Sequence, residues 1–129
     1  MNAHAGIRIM GNCLDLESIT SHLGIEPTHR HKEGEPAKCQ ENYCQDMWSL
    51  QAPLDKKKKL DSHLRWLVKF LSSHYDYLQA LKPDAQIDVF CSYTFEGDQG
   101  GFSLSPKALS IFTALGIKLE VSLIALKVR

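Results

Sequence analysis

The sequence predicts one α+β domain spanning residues 1–129, in which helices cover a single-layer mixed or antiparallel sheet of about five strands. Three observations support this prediction. Apolar residues alternate with polar ones at 6–10, 46–51 and 87–95, as in half-buried strands. Apolar residues recur every three or four positions over 55–81, which predicts a long amphipathic helix. Two shorter helical segments carry matching start and stop residues.

These two shorter segments begin and end with residues suited to helix termini. Asp15 and Ser105 are good N-caps, because their side-chain oxygens can accept from an N–H group of the first turn. Pro106 suits the first helical position. Gly24 and Gly116 can adopt the left-handed conformation that ends a helix. Two accounts of this similarity stay open: convergence on common caps, or a duplicated strand–helix–strand unit.

The remaining segments complete the predicted order. Residues 25–46 are polar and show no hydrophobic period, which predicts a long loop. Gly100 and Gly101 predict a turn between paired strands, with a strand leaving them toward the second capped helix. The last strand is predicted at 118–128, where it could form a sheet edge. The expected order is β-α-β-α-β-β-α-β, with three helices in a ferredoxin-like sandwich.

The composition argues against several classes of protein. The hydrophobic fraction of 43% and the charged fraction of 23% are ordinary for a globular domain. A formal net charge of zero argues against a broad nucleic-acid or membrane surface, so the lysine run at 56–59 is expected to be solvated. No signal peptide is visible near Met1, and four cysteines without one favour reduced thiols and a cytoplasmic protein.

Five segments stand out along the chain, at 11–16, 23–28, 32–35, 48–50 and 100–106. Together they resemble a family of small bacterial proteins catalogued as domain of unknown function 4279, and the last of them, Gly-Gly-Phe-Ser-Leu-Ser-Pro, is the most specific. The resemblance covers nearly the whole chain and implies a free-standing bacterial domain. It implies no activity, cofactor or catalytic residue. The stretch from Cys39 to Cys44 departs from the family pattern.

The loop at 28–46 contains residues that could bind zinc. Imidazole nitrogens and thiolates are the ligands that tetrahedral Zn²⁺ prefers. The loop supplies both kinds, in His29, His31, Cys39 and Cys44. Their spacing fits no zinc finger, and neighbouring ligands on an extended segment point opposite ways. We therefore predict no metal or cofactor, and keep a zinc site at these four residues as the alternative.

A second set in the same region could form a binding surface. Its members are basic, hydroxylated or aromatic: Thr28, Arg30, Lys32 and Trp48. A lysine close to Gly34 could hold an anionic group, whereas Trp48 on an alternating strand is typical of a core residue.

Enzyme signatures are absent from the sequence. It contains no Gly-x-Ser-x-Gly, no His-Glu-x-x-His, no phosphate loop and no dinucleotide fingerprint. The first hypothesis is therefore a non-enzymatic protein-interaction module, with an immunity-type protein that covers a toxin as one form of it. The alternative is a protein that binds a small ligand or zinc through residues 28–46. An unidentified protein partner is expected, and the uncovered sheet edge leaves a homodimer through that edge open.

Overall fold

A computed structural model describes residues 1–38 and 41–127, and these residues form an α+β fold with a five-stranded open sheet and four helices. The elements are β1 (Asn2–Gly11), α1 (Leu16–Leu23), β2 (His29–His31), β3 (Asp46–Gln51), α2 (Leu60–Ser73), α3 (Tyr75–Leu81), β4 (Gln86–Glu96), α4 (Pro106–Leu115) and β5 (Lys118–Leu126). The strand order is β2-β3-β1-β4-β5. Only β4 and β5 are parallel among the described strand pairs, so the sheet is mixed.

The core lies between one face of the sheet and the helices. Strand alternation directs the side chains of Ile7, Trp48 and Val89 to this face, where each is fully buried. Leu64 of α2 and Leu115 of α4 pack in the same cluster. The single-face burial that the sequence predicts for these strands is therefore present in the fold.

Three helices were expected, and the structure has four, because the segment predicted as one helix over 55–81 is two. Its regular part begins at Leu60, and the chain breaks at His74, whose φ of −119° leaves the helical range. The apolar stripe continues on both sides of the break, with Leu71 and Leu78 fully buried. Periodicity therefore could not reveal the interruption.

The described part of residues 25–46 contains more regular structure than expected. His29–His31 form a short strand that pairs antiparallel with β3, and Pro36 forms an isolated bridge with Asn42. A three-residue strand has no detectable period of its own, so the sequence predicted a loop where the structure has β2.

The turn at Gly100 and Gly101 does not join paired strands, because no strand leaves it in the described chain. A Cβ atom at Gly100 would overlap the Phe95 ring, and the Tyr93 hydroxyl donates to the Gly101 carbonyl at 2.6 Å. These glycines therefore pack against the aromatic end of β4. The resulting order differs from the expected one, and it does not confirm the ferredoxin-like label.

Strand β5 forms one edge of the sheet and is largely exposed. Leu119, Val121, Leu123 and Ala125 share the helix-side face, as the alternation predicts. Leu123 is nevertheless 63% exposed. The strand ends at Leu126, and the predicted continuation to Val128 lies outside the described residues. In the described part of the chain, none of the helices combines the length and apolar character needed to cross a membrane.

Candidate functional site

A cleft of about 790 Å³ lies between the start of α1 and β2. Its lining combines residues 13–17 with Arg30, His31, Lys32 and Glu35. Arg30 lies opposite Trp48 in the β2–β3 register and is exposed at the rim. A volume of this size is in the range of small-molecule sites.

The buried carboxylate of Asp46 binds segments that line the cleft or lie next to it. It accepts hydrogen bonds from the Leu14 N–H at 2.8 Å, the Glu33 N–H at 2.7 Å and the Lys32 ammonium at 3.0 Å. These donors, the Glu33 N–H first, lower the pKa of Asp46 to about 2. Asp46 therefore joins β3 to the segment before α1 and to the segment after β2.

Lys32 is already engaged with the protein. Besides Asp46, its ammonium donates to the Leu14 carbonyl at 2.7 Å, although its side chain is 48% exposed. A free anion near Lys32 would compete with these two acceptors. The acidic residues of the cleft lining, Asp15, Glu17 and Glu35, would also oppose an anion.

The four residues predicted as a binding surface lie on β2, on β3 and directly beside β2. Arg30 and Lys32 line the cleft, whereas Thr28 and Trp48 lie outside its lining. The Thr28 hydroxyl, directly before β2, accepts from the Gln51 N–H at 2.9 Å. The fully buried Trp48 donates through Nε1 to the Thr20 hydroxyl at 2.9 Å, which attaches α1 to the sheet.

His29 and His31 form a hydrogen-bonded pair. They lie two residues apart on one strand, so they share a face, and the argument that they would point opposite ways was wrong. Nε2 of His29 and Nδ1 of His31 are 2.8 Å apart, so one ring donates and the other accepts. The His31 ring stacks on Tyr43, and burial lowers the pKa of His31, followed by the effect of His29.

The predicted zinc ligands are only partly brought together. His29 and His31 are adjacent, Cys44 is exposed, and Cys39 lies outside the described residues. Within residues 1–38 and 41–127, no group of three or more His, Cys, Asp or Glu side chains is arranged to hold a metal ion.

The residues predicted to have structural roles lie at the helix ends. Asp15 accepts from the Ser18 N–H at 3.0 Å, and Ser105 accepts from the Ala108 N–H at 3.2 Å, ahead of Pro106. Gly24 and Gly116 end α1 and α4 with φ angles of 69° and 70°. They position α1 beside the cleft and α4 beside the core.

An ionic cluster on the other face of the sheet was not predicted from the sequence. Arg8 donates twice to Asp88, at 2.8 and 2.7 Å, and once to Glu120, at 2.8 Å. Its guanidinium also lies 4.8 Å from the centre of the Phe90 ring. The hydrogen bond to Asp88 is the main reason that the pKa of Arg8 is raised. Each residue occupies a polar-face position of its strand, but the strand order was needed to see them meet.

Two buried side chains of the core have unusual chemistry: the Cys91 thiol is unreactive, and the His63 ring has no hydrogen-bond partner in the described chain. Burial raises the pKa of Cys91 to about 12, which keeps its thiol protonated and unreactive. His63 is fully buried, and neither ring nitrogen has a hydrogen-bond partner in the described chain.

A model of the family described as Domain of unknown function (DUF4279) matches residues 1–126. The chain belongs to this family. Neither the comparison with curated proteins nor that with solved structures finds a match. Membership of DUF4279 thus confirms the resemblance carried by the five segments, two of which, 11–16 and 32–35, meet at Asp46.

Proposed function

We propose that this domain is a non-enzymatic protein-interaction module that binds a partner strand along the outer edge of β5. The supporting observation is the exposure of large apolar side chains there. Leu123, Ile124 and Leu126 are 63%, 44% and 45% exposed. Exposed apolar surface at an unpaired strand edge favours pairing with another chain.

The two edges of the sheet differ in a way that supports this proposal. The β2 edge is three residues long and carries exposed Arg30, and short, charged edges resist pairing. The β5 edge is nine residues long and is uncharged from Val121 to Leu126. Main-chain hydrogen bonds to a partner strand would supply affinity, and the apolar side chains would supply specificity.

An immunity-type role, in which the domain covers a toxin, is one form of this function. It is supported by the small size and neutral charge of the chain. Residues 32–38 and 41–43, which lie between β2 and β3 in the chain, would provide a second contact surface, because most of them are exposed. Bacterial origin and a cytoplasmic location remain predictions of the sequence.

The alternative function is binding of a small ligand or zinc at the cleft beside α1. It is supported by the cleft volume and by the adjacent His29–His31 pair. Elemental analysis of protein purified without a metal-affinity step tests the zinc version. Near-stoichiometric zinc that is lost in a His31→Ala variant would support it, and metal-free protein would exclude it.

The main proposal is tested by affinity capture with matched variants. Leu123→Lys and Ile124→Lys place charges on the β5 edge, and Leu109→Lys places one on an exposed apolar position of α4. We expect a partner protein to be retained by the wild type and Leu109→Lys but not by the β5 variants. Titration calorimetry with the purified partner should show the same ranking. Equal binding by all four proteins would contradict the proposal.

A further inference from the structure

We infer that the strand bound at this edge is β5 of a second copy, so that two sheets join about a two-fold axis into one ten-stranded sheet. This inference rests on the proposed function, because it names the occupant of the same edge. It is carried by three features of β5: the direction of its free backbone groups, the exposed apolar side chains on both its faces, and a self-complementary register.

The backbone of β5 has unused hydrogen-bonding groups on its outer side. The Leu126 carbonyl points toward β4, because it accepts from the Gly97 N–H at 3.4 Å. Successive residues of a strand direct their N–H and C=O groups to opposite sides. The odd-numbered residues, Val121 and Leu123 among them, therefore direct these groups away from β4. In the described chain no strand lies on that side to pair with them.

Exposed apolar side chains lie on both faces of the edge. On the helix side, Val121 is 37% exposed and Leu123 is 63% exposed; on the opposite face, Ile124 and Leu126 are each nearly half exposed. A partner strand that covers Val121 and Leu123 must itself be apolar on the helix-side face. Among the described strands, β5 combines an apolar helix-side face with a free edge, while its opposite face also carries Lys118, Glu120 and Ser122.

Ser122 is the middle residue of β5, so a two-fold axis there pairs all nine residues of the strand. An antiparallel pair about this axis sets Val121 of each copy opposite Leu123 of the other. It also sets Lys118 opposite Leu126 and Glu120 opposite Ile124. No like charges face one another. The helix-side pairs, Val121 with Leu123 and Leu119 with Ala125, are apolar cross-strand pairs, which stabilise sheets.

The apolar surface continues from the edge onto the domain. Leu123 lies beside Tyr93 in the β4–β5 register, and the Tyr93 ring is 5.1 Å from that of Phe102, which is 38% exposed. A second copy could therefore cover Phe102 and Leu123 together. A contact that includes Phe102 buries more surface than the two strands alone, and a stable dimer requires a large buried area.

Disulfide trapping tests the register. The axis makes Ser122 a non-hydrogen-bonded pair, with its two Cα atoms about 4.5 Å apart, within the roughly 4.4–6.8 Å span of disulfides. In a background in which Cys13, Cys39 and Cys44 are serine, Ser122→Cys should form covalent dimers on mild oxidation. The control is Ser92→Cys, which lies beside Ser122 on the same face but one strand inward, and it should stay monomeric.

Sedimentation of the unmodified chain tests the dimer itself. We expect a dimer at micromolar concentration whose dissociation constant rises at least about tenfold in Leu123→Lys, as for a central apolar contact. Circular dichroism should show that this variant remains folded. A monomeric wild type, or equal trapping of Ser122→Cys and Ser92→Cys, would overturn the inference. If another protein were still captured in an edge-dependent manner, the proposed function would survive this result; without such capture, both would fail.

Discussion

The backbone N–H of Ser105 donates to the carboxylate of Asp61 at 2.7 Å. Ser105 is the N-cap of α4, and Asp61 lies in the first turn of α2, so the start of one helix holds the start of the other. Arg65 steadies the same carboxylate through a 3.0 Å contact from its Nε atom. The Ser105 N–H is the main reason that the pKa of Asp61 is lowered.

Removing the hydrogen bond between the Ser105 N–H and Asp61 should destabilise the domain. Asp61→Ala leaves the partly buried Ser105 N–H without its acceptor, which costs on the order of 1 kcal/mol in unfolding free energy. The matched control is Asp76→Ala in the first turn of α3, which has no side-chain hydrogen bond in the described chain. Urea denaturation should separate the two variants, and equal midpoints would contradict the capping role.

Asp46 should make stability depend on acid pH. Its pKa falls from an unfolded value near 3.8 to about 2 in the folded protein, so the unfolded chain binds a proton first as pH falls. The contribution is therefore present above about pH 4 and is lost as pH falls toward 2. Denaturation from pH 5 to pH 2.5 should show this loss.

The variant Asp46→Asn should flatten that pH dependence and lower stability at neutral pH. Its amide cannot accept from the Leu14 N–H, the Glu33 N–H and Lys32 together, and an unsatisfied buried donor costs roughly 1–3 kcal/mol. If the variant matched the wild type at pH 7, the carboxylate would not be holding these segments.

His63 should reduce stability in mildly acidic solution. Burial is the main cause of its lowered pKa, and nearby His4 adds to the effect. The unfolded histidine, with a pKa near 6.5, takes up a proton before the folded one does, so stability should fall as pH drops below about 6.5. His31 contributes with the same sign, because its pKa is also lowered.

His63→Leu replaces the ring and its unpartnered nitrogens with an apolar side chain. It should therefore weaken this pH dependence without a large loss of stability at pH 8. His22→Gln, at an exposed position, serves as the control. Guanidinium denaturation at pH 8 and pH 5.5 measures both variants. If the stability of His63→Leu changed between pH 8 and pH 5.5 as much as that of the wild type, His63 would not titrate on unfolding.

Two glycines allow conformational cost to be separated from crowding. Gly24 and Gly116 have nearly equal φ angles, but a Cβ at Gly24 meets nothing within 4 Å, whereas one at Gly116 comes within 2.8 Å of Lys82 Nζ. Lys82 donates to the Leu115 carbonyl at 2.7 Å. Gly24→Ala should cost about 1 kcal/mol. Gly116→Ala also displaces Lys82 Nζ from the Leu115 carbonyl, but the end of a flexible side chain moves at little cost, so this variant should be only slightly less stable than Gly24→Ala. A melting temperature unchanged by either would contradict the left-handed caps.

Features set by neighbours in sequence could be read from the sequence alone. The caps at Asp15, Gly24, Ser105 and Gly116 depend on bonds within three to five residues, so residue type and spacing sufficed. The alternation of apolar and polar residues in β1, β3 and β4 identified the buried face, because a strand with one solvent-exposed face buries every second residue.

Features set by distant residues required the tertiary structure. The Arg8–Asp88 pair spans 80 positions, and its two strands had to be placed side by side before the charges could meet. The Asp46 carboxylate is buried only because segments before α1 and after β2 converge on it. The break at His74 left the apolar period intact and so gave no signal in the sequence.

The exposed edge shows both contributions. The sequence by itself determined that β5 is an apolar strand whose residues alternate between two faces. Only the tertiary structure decided that Leu123 and Ile124 remain exposed, because β5 is the terminal strand of the sheet and α4 contributes Ala108, Ile111 and Leu115 to the central core. Burial depends on which elements become neighbours, and local periodicity does not contain that information.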